Sequence, residues 1–261
     1  MPELPEIEAY RQLAEHALDR RVAAVHIGDP RFVRGDVTPQ RLSAVLRGGS
    51  FQAVRRIGKL LVFDVRERDH RLGVRFGMTG RLLVDGVQGV EQLMYASNRA
   101  DTAWDRFTLR FGDGGRMVVR DPRLLGGVSL DPDEGALGPD ALTITLAQLR
   151  HQLAGSAAPL KARLMDQSRI AGVGNLIADE TLWRAGLVPG RPAGSLSDAE
   201  VRRLHTHLRR TLGVLLRRGG SHLGDIVPQR RPGGRCPRDG TELRRSTIGG
   251  RTTWWCPRHQ R

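Results

Sequence analysis

Residues 131–139 read DPDEGALGP. Pro132 and Pro139 fix φ and remove backbone donors, and Gly135 and Gly138 favour turns, so neither a helix nor a ladder strand is expected to run through this stretch. The hydrophobic pattern changes across it. Upstream, between Val22 and Leu130, short β-rich runs alternate with Gly, Asp and Pro: VAAVHI (22–27), LRGGSFQAVRRI (46–57), KLLVFDV (59–65), LGVRFGM (72–78), GRLLV (80–84), RFTLRF (106–111) and RMVVRD (116–121). They predict a two-layer β-sandwich. Before it, Leu4, Ile7, Ala9, Leu13, Ala14, Ala17 and Leu18 recur at helical spacing and predict a leading amphipathic helix. Downstream, Leu142–Leu153, Leu160–Asp166, Asn175–Ala185 and Ala199–Arg217 read as helices, and Ser197, Asp198 and Glu200 supply helix-start chemistry to the last. The expected class is α+β multidomain: a sandwich domain over 1–130, a linker over 131–140, a helical domain over 141–222 and a C-terminal hairpin domain over 223–261.

The chain has 261 residues, with 42 Lys plus Arg against 28 Asp plus Glu and a formal charge of +14. Such a field draws polyanions, nucleic acid foremost. Lys59 and Lys161 are its only lysines. Arginine in place of lysine throughout is what a GC-rich coding bias produces, so the sign of the charge informs more than the choice of residue. No run of about 18 apolar residues is present, which excludes a transmembrane helix. The first residues lack the basic and apolar regions of a secretory signal, so a cytoplasmic protein is expected.

The two cysteines lie close to the C-terminus, in Cys236-Pro-Arg-Asp239 and Cys256-Pro-Arg-His259. Two such knuckles flanking a hairpin-like TELRRSTIGGRTTWW (241–255) have the spacing of a zinc ribbon, with Cys236, Asp239, Cys256 and His259 holding one structural zinc. A carboxylate beside two thiolates should hold zinc less tightly than four thiolates. The alternative is a hairpin without metal in which Asp239 is a turn residue. Arg251, at the hairpin tip, suits either a solvated turn or a phosphate contact.

The beginning of the chain carries a second candidate chemistry. Removal of Met1 would leave Pro2 as a secondary amine titrating near neutrality, able to attack an electrophilic carbon and form an iminium. Glu3 and Glu6 lie within a helical turn of it, placed for proton transfer or for stabilising the developing positive charge. Equally, acidic residues simply favour a helix start. Ala171–Asn175, AGVGN, puts two glycines before a helix, which suits either a phosphate site at free helix-start N–H groups or a close helix packing turn. Lys59 suits either a strand end or a phosphate contact.

Read together, MPELPE (1–6), Gly58-Lys59, GMTG (77–80), DPR (121–123), GVGN (172–175) with ADE (178–180), and GGR (249–251) in a zinc-like hairpin occur in one order. With these motifs the chain resembles the formamidopyrimidine-DNA glycosylase and endonuclease VIII family over nearly its full length. The resemblance implies a β-sandwich with a leading helix, a helix-two-turns-helix domain and a zinc finger, with damaged double-stranded or single-stranded DNA in the cleft between the halves and a monomeric enzyme. It implies that Pro2 attacks C1′ of the damaged nucleotide, that Glu3 protonates the sugar ring, and that Glu6 supports the same site. Lys59, Asn175 and Arg251 match the phosphate grip, with Lys59 also at the catalytic site. Lys161 and Glu180 fall in matching helical segments, Lys161 among the DNA contacts. Displacement of the base, followed by β- and δ-elimination, then cuts the strand on both sides of the sugar.

Met78 matches the family's main wedge into the space of the extruded nucleotide. In DPRLLG (121–126), Arg123 fits the pattern DPRRFG of the purine-repair branch. Leu124 replaces a phosphate-contacting arginine there, and Leu125 replaces an aromatic wedge. Only SHLGDIVPQRRPGGR (221–235) separates the last helix from Cys236, short for a lid over an oxidised purine. These departures lead us to expect an endonuclease VIII-like preference for oxidised pyrimidines, with oxidised purines as the alternative substrate. Rival readings are a non-catalytic zinc-finger DNA-binding protein of the same fold, and a zinc-ribbon RNA-binding factor, the latter disfavoured by an aromatic content of 5%.

Overall fold

The computed structural model describes residues 2–94, 99 and 101–261. Met1, whose removal is expected to free the Pro2 amine, lies outside the described residues. The chain forms two compact units, one of Pro2 with Glu6–Glu134 and one of Glu3–Pro5 with Gly135–Arg261.

In the first unit, β1 (Val22–Ile27), β7 (Asp105–Phe111), β8 (Arg116–Arg120), β5 (Arg81–Val84) and β6 (Val87–Gln88) form one antiparallel sheet in that order. A second sheet has the order β2 (Phe51–Ile57), β3 (Leu60–Val65), β4 (Arg71–Arg75) and β9 (Gly127–Leu130). Phe51, Phe63, Leu72 and Val74 from one sheet share a core with Leu82, Phe107, Leu109 and Met117 from the other. Helix α1 (Leu4–Ala14) adds Ile7, Tyr10 and Ala14. The Tyr10 hydroxyl donates to the Gly80 carbonyl at 3.1 Å, and burial pushes the phenol well above its usual range.

Three expectations are corrected here. Leu46–Ser50 does not begin a strand, because Leu46 ends helix α2 (Pro39–Leu46), which Thr38 caps by accepting from the Arg41 amide. Thr-Pro was the overlooked start signal. The strand expected to reach Met78 stops at Arg75, since Gly77 turns the chain with φ +56°. The leading helix ends at Ala14 and tightens into a 3₁₀ turn over Glu15–Ala17.

The second unit packs α3 (Leu146–Leu153), α4 (Leu160–Met165), α5 (Asn175–Ala185) and α6 (Asp198–Arg218) around Leu149, Leu164, Ile177, Leu182, Leu204, Leu208 and Leu212. Helix α3 starts later than expected. Thr145 and Gln148 form a capping box, so Leu142–Thr145 lead into the helix rather than belonging to it. In α6, Val201, Leu204, Leu208, Thr211, Leu212 and Leu215 are buried at helical spacing, and Gly219 closes the helix with φ +90°. Strands β10 (Arg244–Ile248) and β11 (Arg251–Trp255) pair antiparallel across Gly249 and Gly250, whose φ of +57° and +70° give the positive-φ two-residue hairpin turn that glycine adopts without strain. Trp183, Ile226, Cys236, Leu243, Trp254 and Cys256 make a small separate core beneath the hairpin. Among the described residues no helix is long and apolar enough to cross a membrane.

The start of α6 carries a pH signature. Glu200 completes a capping box with Ser197 and takes a bidentate pair from Arg191 at 2.6 and 3.0 Å. Hydrogen bonds from the Arg191 guanidinium, foremost, lower its carboxyl from 4.5 to about 2. A depressed carboxyl stabilises the fold when ionised, so this contribution is complete above about pH 5 and is lost as pH falls through about 2. Glu200→Gln should therefore flatten the stability profile between about pH 5 and about pH 2, read by urea unfolding at each pH. Parallel profiles for the two proteins would contradict the assignment.

Candidate nucleic-acid interface and metal centre

The sequence-predicted residues of the first unit collect on α1, one hairpin tip and two facing loops. Pro2 and Glu6 are buried, Glu6 at 1% exposure. Lys59 is half-buried and sits not at a strand end but in the two-residue turn between β2 and β3, beside Gly58 with φ +57°. Arg56 fixes that turn by donating to the Gly58 carbonyl at 3.0 Å and to Glu8 of α1 at 3.1 Å. Arg75 is a residue that motif reading missed. It pairs with Leu60 across the sheet, next to Lys59, is exposed, and has no ion pair among the described residues.

Met78 and the loop 121–126 are joined through one buried carboxylate. Asp121 accepts from the Thr79 hydroxyl at 2.5 Å, the Arg123 amide at 3.1 Å and the Gly126 amide at 2.8 Å, and it is completely buried. Gly77 permits the close approach, since a Cβ there would stand 2.4 Å from the Leu125 carbonyl carbon. Arg34 adds bonds to the carbonyls of Leu124 and Gly126 at 2.9 Å. The result is a rigid mount. On it Leu124 adopts φ +53°, Leu125 stands 46% exposed, and Arg123 reaches to 3.9 Å from the Met78 sulfur. An exposed leucine beside a methionine and an arginine offers apolar surface rimmed by positive charge, suited to unstacked bases.

In the second unit, Glu3 departs from the phosphate-site reading of AGVGN. Its carboxylate accepts from the Leu176 amide at 2.8 Å and the Ile177 amide at 3.1 Å, so the first turn of α5 already holds an anion, the protein's own. Gly174 is the N-cap, and a Cβ there would stand 2.2 Å from the Glu3 carboxyl carbon, which explains glycine at this position without any ligand. Asn175, the first helical residue, is half-buried, and its side-chain oxygen has no hydrogen-bond partner among the described residues. Glu180, further along α5, is fully buried and accepts from Arg184 at 2.7 Å and from the Ile226 amide at 3.0 Å.

Lys161 is also placed differently from a DNA contact. It is completely buried, with its ammonium 2.7 Å from Asp179, itself fully buried. Burial pulls the ammonium below its ordinary value, opposed by the Asp179 charge. Lys161 also donates to Thr253 Oγ1 at 2.8 Å and to the Thr252 carbonyl at 3.1 Å. A charge enclosed this way cannot meet solvent-borne phosphate. Arg251, by contrast, is exposed at the first position of β11, immediately after the Gly249–Gly250 turn.

Cys236, Asp239, Cys256 and His259 come together as the knuckle spacing predicts, their candidate ligand atoms all within 4.8 Å of one another. Cys236 Sγ lies 3.5 Å from His259 Nδ1, Cys256 Sγ 3.4 Å from Asp239 Oδ2, and His259 Nδ1 3.3 Å from the same oxygen. Ligands about 2.0–2.3 Å from a tetrahedral zinc stand about 3.3–3.8 Å apart, so the donor set fits one ion. Its surroundings agree. His259 Nε2 pairs with the Trp183 carbonyl at 3.1 Å, which turns Nδ1 inward, and the Trp183 indole donates to Cys236 Sγ at 3.4 Å. Burial pushes the Cys256 thiol up, while the Thr241 amide holds the Asp239 carboxyl well below its usual range.

Comparison with known proteins places this geometry. Residues 1–128 match the formamidopyrimidine-DNA glycosylase N-terminal domain, and residues 136–226 match the formamidopyrimidine-DNA glycosylase H2TH domain. Formamidopyrimidine-DNA glycosylase of Geobacillus kaustophilus is 32% identical, the match covering 100% of both chains. That of Symbiobacterium thermophilum is 34% identical over 100% of this chain and 89% of its own length. Among solved structures, Lactococcus lactis FPG in complex with a FAPY-dG containing DNA superposes with a TM-score of 0.83 at 26% identity, covering 99% of this chain and 100% of that one. The same protein in complex with an abasic site containing DNA gives 0.83 at 25% identity, covering 99% of each. The chain belongs to the formamidopyrimidine-DNA glycosylase family, an enzyme class of DNA glycosylases and abasic-site lyases.

The Glu3–α5 contact makes a direct prediction. Gly174→Ala forces a methyl group into the space of the Glu3 carboxyl and should lower stability by about 2–3 kcal/mol. Glu3→Gln, which keeps the shape but not the charge, should lower it by about 1 kcal/mol. Denaturant midpoints measure both, and a Gly174→Ala midpoint equal to that of the unaltered protein would refute the packing.

Proposed function

We propose that this protein is a bifunctional base-excision repair enzyme that removes oxidised bases and cuts the strand through a Schiff base on Pro2. With Met1 removed, the Pro2 nitrogen attacks C1′ of the damaged nucleotide and the N-glycosidic bond to the base breaks. The amine proton is lost, the C1′–O4′ bond opens as the ring oxygen takes a proton, and the resulting C1′ iminium draws electrons, so that C2′ loses a proton and β- then δ-elimination expels the flanking phosphates. Glu3 serves proton exchange at the sugar ring oxygen. Glu6 supports the same site. Lys59, Asn175 and Arg251 contact phosphates, and Arg75 joins them. Met78, Arg123 and Leu125 fill the gap left by the extruded nucleotide. The observation that carries this reading is the Glu3 anchor, which fixes the residue next to Pro2 by two hydrogen bonds at one helix start.

The same reading divides the chain into a catalytic sandwich domain, a linker at 131–140, the helix-two-turns-helix domain and a zinc-finger domain from 223. It makes the protein a monomer of the cytosol acting on damaged duplex or single-stranded DNA. We favour oxidised pyrimidines and abasic sites as substrates. The segment 221–235 supports this, because it is short and its Ile226 and Val227 are packed into the small core or buried beside it, leaving little chain to cover a purine. Oxidised purines are the second reading, favoured by the FAPY-dG containing DNA bound to the Lactococcus lactis relative. Single-turnover excision of thymine glycol, 5-hydroxyuracil and 8-oxoguanine from matched duplexes decides between them. Faster loss of the pyrimidines is expected, and faster loss of 8-oxoguanine would overturn the preference.

Zinc, held by Cys236, Asp239, Cys256 and His259, would cross-link the two knuckles and supply no catalysis. Elemental analysis should find about one zinc per chain, and Cys256→Ala should release it and lower the melting temperature. Metal-free protein with unchanged hairpin stability would contradict a structural ion.

A further inference from the structure

We propose that the buried cluster of Lys161, Asp179 and Arg230 is a positioning device that holds the hairpin carrying Arg251 in fixed register on the helix carrying Asn175. The proposal rests on reading Arg251 and Asn175 as phosphate contacts. Its geometry is independent of that reading.

Asp179 and Asn175 are both on α5, four residues apart and so on neighbouring positions of one helix face. From Asp179 the cluster spreads to the hairpin. One carboxylate oxygen takes the Lys161 ammonium at 2.7 Å, and the other takes Arg230 Nε at 3.0 Å and the Trp254 amide at 3.3 Å. Lys161 holds the Thr252 carbonyl and the Thr253 hydroxyl, and Arg230 lies 3.4 Å from the same Thr252 carbonyl. Three consecutive residues of β11, directly following Arg251, are thus tied by charge-assisted bonds to groups outside the hairpin. The turn is seated as well, since a Cβ on Gly249 would stand 2.9 Å from Ala162 Cβ.

A stability role alone does not account for this arrangement. Buried ion pairs lose much of their attraction to desolvation, and well-packed apolar residues of similar volume are often equally stabilising. What charges add is direction. A carboxylate that must satisfy a lysine, an arginine and one particular amide admits a single register of the strand, whereas apolar packing tolerates sliding. A one-residue slip of β11 would turn Arg251 to the opposite face of the hairpin.

The test uses the full-length protein and a duplex containing a tetrahydrofuran abasic-site analogue. Lys161→Met should raise amide hydrogen exchange at Thr252–Trp254 in the free protein by about tenfold or more, with α6 unchanged. It should weaken duplex binding by about tenfold and raise KM more than it lowers kcat. In an Arg251→Ala background it should weaken binding by no more than about twofold further, because both changes remove one contact. Should Lys161→Met fail to fold, Asp179→Asn, which keeps the side-chain size, gives the same three readings. Unchanged hairpin exchange, or binding losses that multiply in the double variant, would overturn the proposal. If Arg251→Ala alone binds like the unaltered protein, the phosphate reading of Arg251 fails, while hairpin exchange still judges the cluster.

Discussion

The structure turns on one carboxylate. The start of α5 presents backbone N–H groups that no helical carbonyl can satisfy, and Gly174, the residue at the cap, has no side chain to offer. Glu3 answers from the far end of the chain. Its two oxygens take the amides of Leu176 and Ile177, and Leu4 beside it is buried in the same helical core. Pro2 precedes it by one trans peptide unit, so its Cα lies about 3.8 Å from that of Glu3. In the proposed mechanism, where Pro2 delivers its nitrogen to one carbon of the substrate, the residue bonded to it is thereby anchored, which serves the entropic requirement of a positioned nucleophile.

A similar economy governs the rest of the candidate surface. Several groups with a role in the proposal are mounted on buried or half-buried polar ones. Asp121 sets the loop that displays Arg123 and Leu125, Arg56 ties the turn of Lys59 to α1, and the Asp179 cluster holds the strand of Arg251. Trp183 does the same for two of the candidate metal ligands, His259 and Cys236, through its carbonyl and its indole. Long flexible side chains can then meet phosphate from defined backbone positions, with less freedom to lose on binding.

Much of the fold was legible because its signals are local. Alternating strands, the Pro- and Gly-rich 131–139 and the Ser197 capping box each state a structure within a few residues. The four candidate metal-binding residues were equally plain, since their spacing encodes a hairpin between two knuckles. Helix α2 was hidden by its shortness, and β6 and β9 are too short to show alternation. The functional assignments that changed are those set by distant partners. Nothing near Lys161 in sequence indicates that Asp179 and β11 enclose it, and nothing in AGVGN indicates that the anion at its helix is residue 3. Arg75 escaped notice because a strand arginine carries no motif, and only its place beside Lys59 across the sheet distinguishes it.

The central claim is that the Pro2 nitrogen becomes covalently joined to the sugar. Borohydride reduction of the enzyme reacting with abasic-site DNA, followed by proteolysis and mass spectrometry of the trapped product, tests it most directly. The account predicts a DNA remnant on a peptide that begins at Pro2 and lacks Met1. An adduct on Lys59, or full strand-cutting activity from protein that retains Met1, would contradict it.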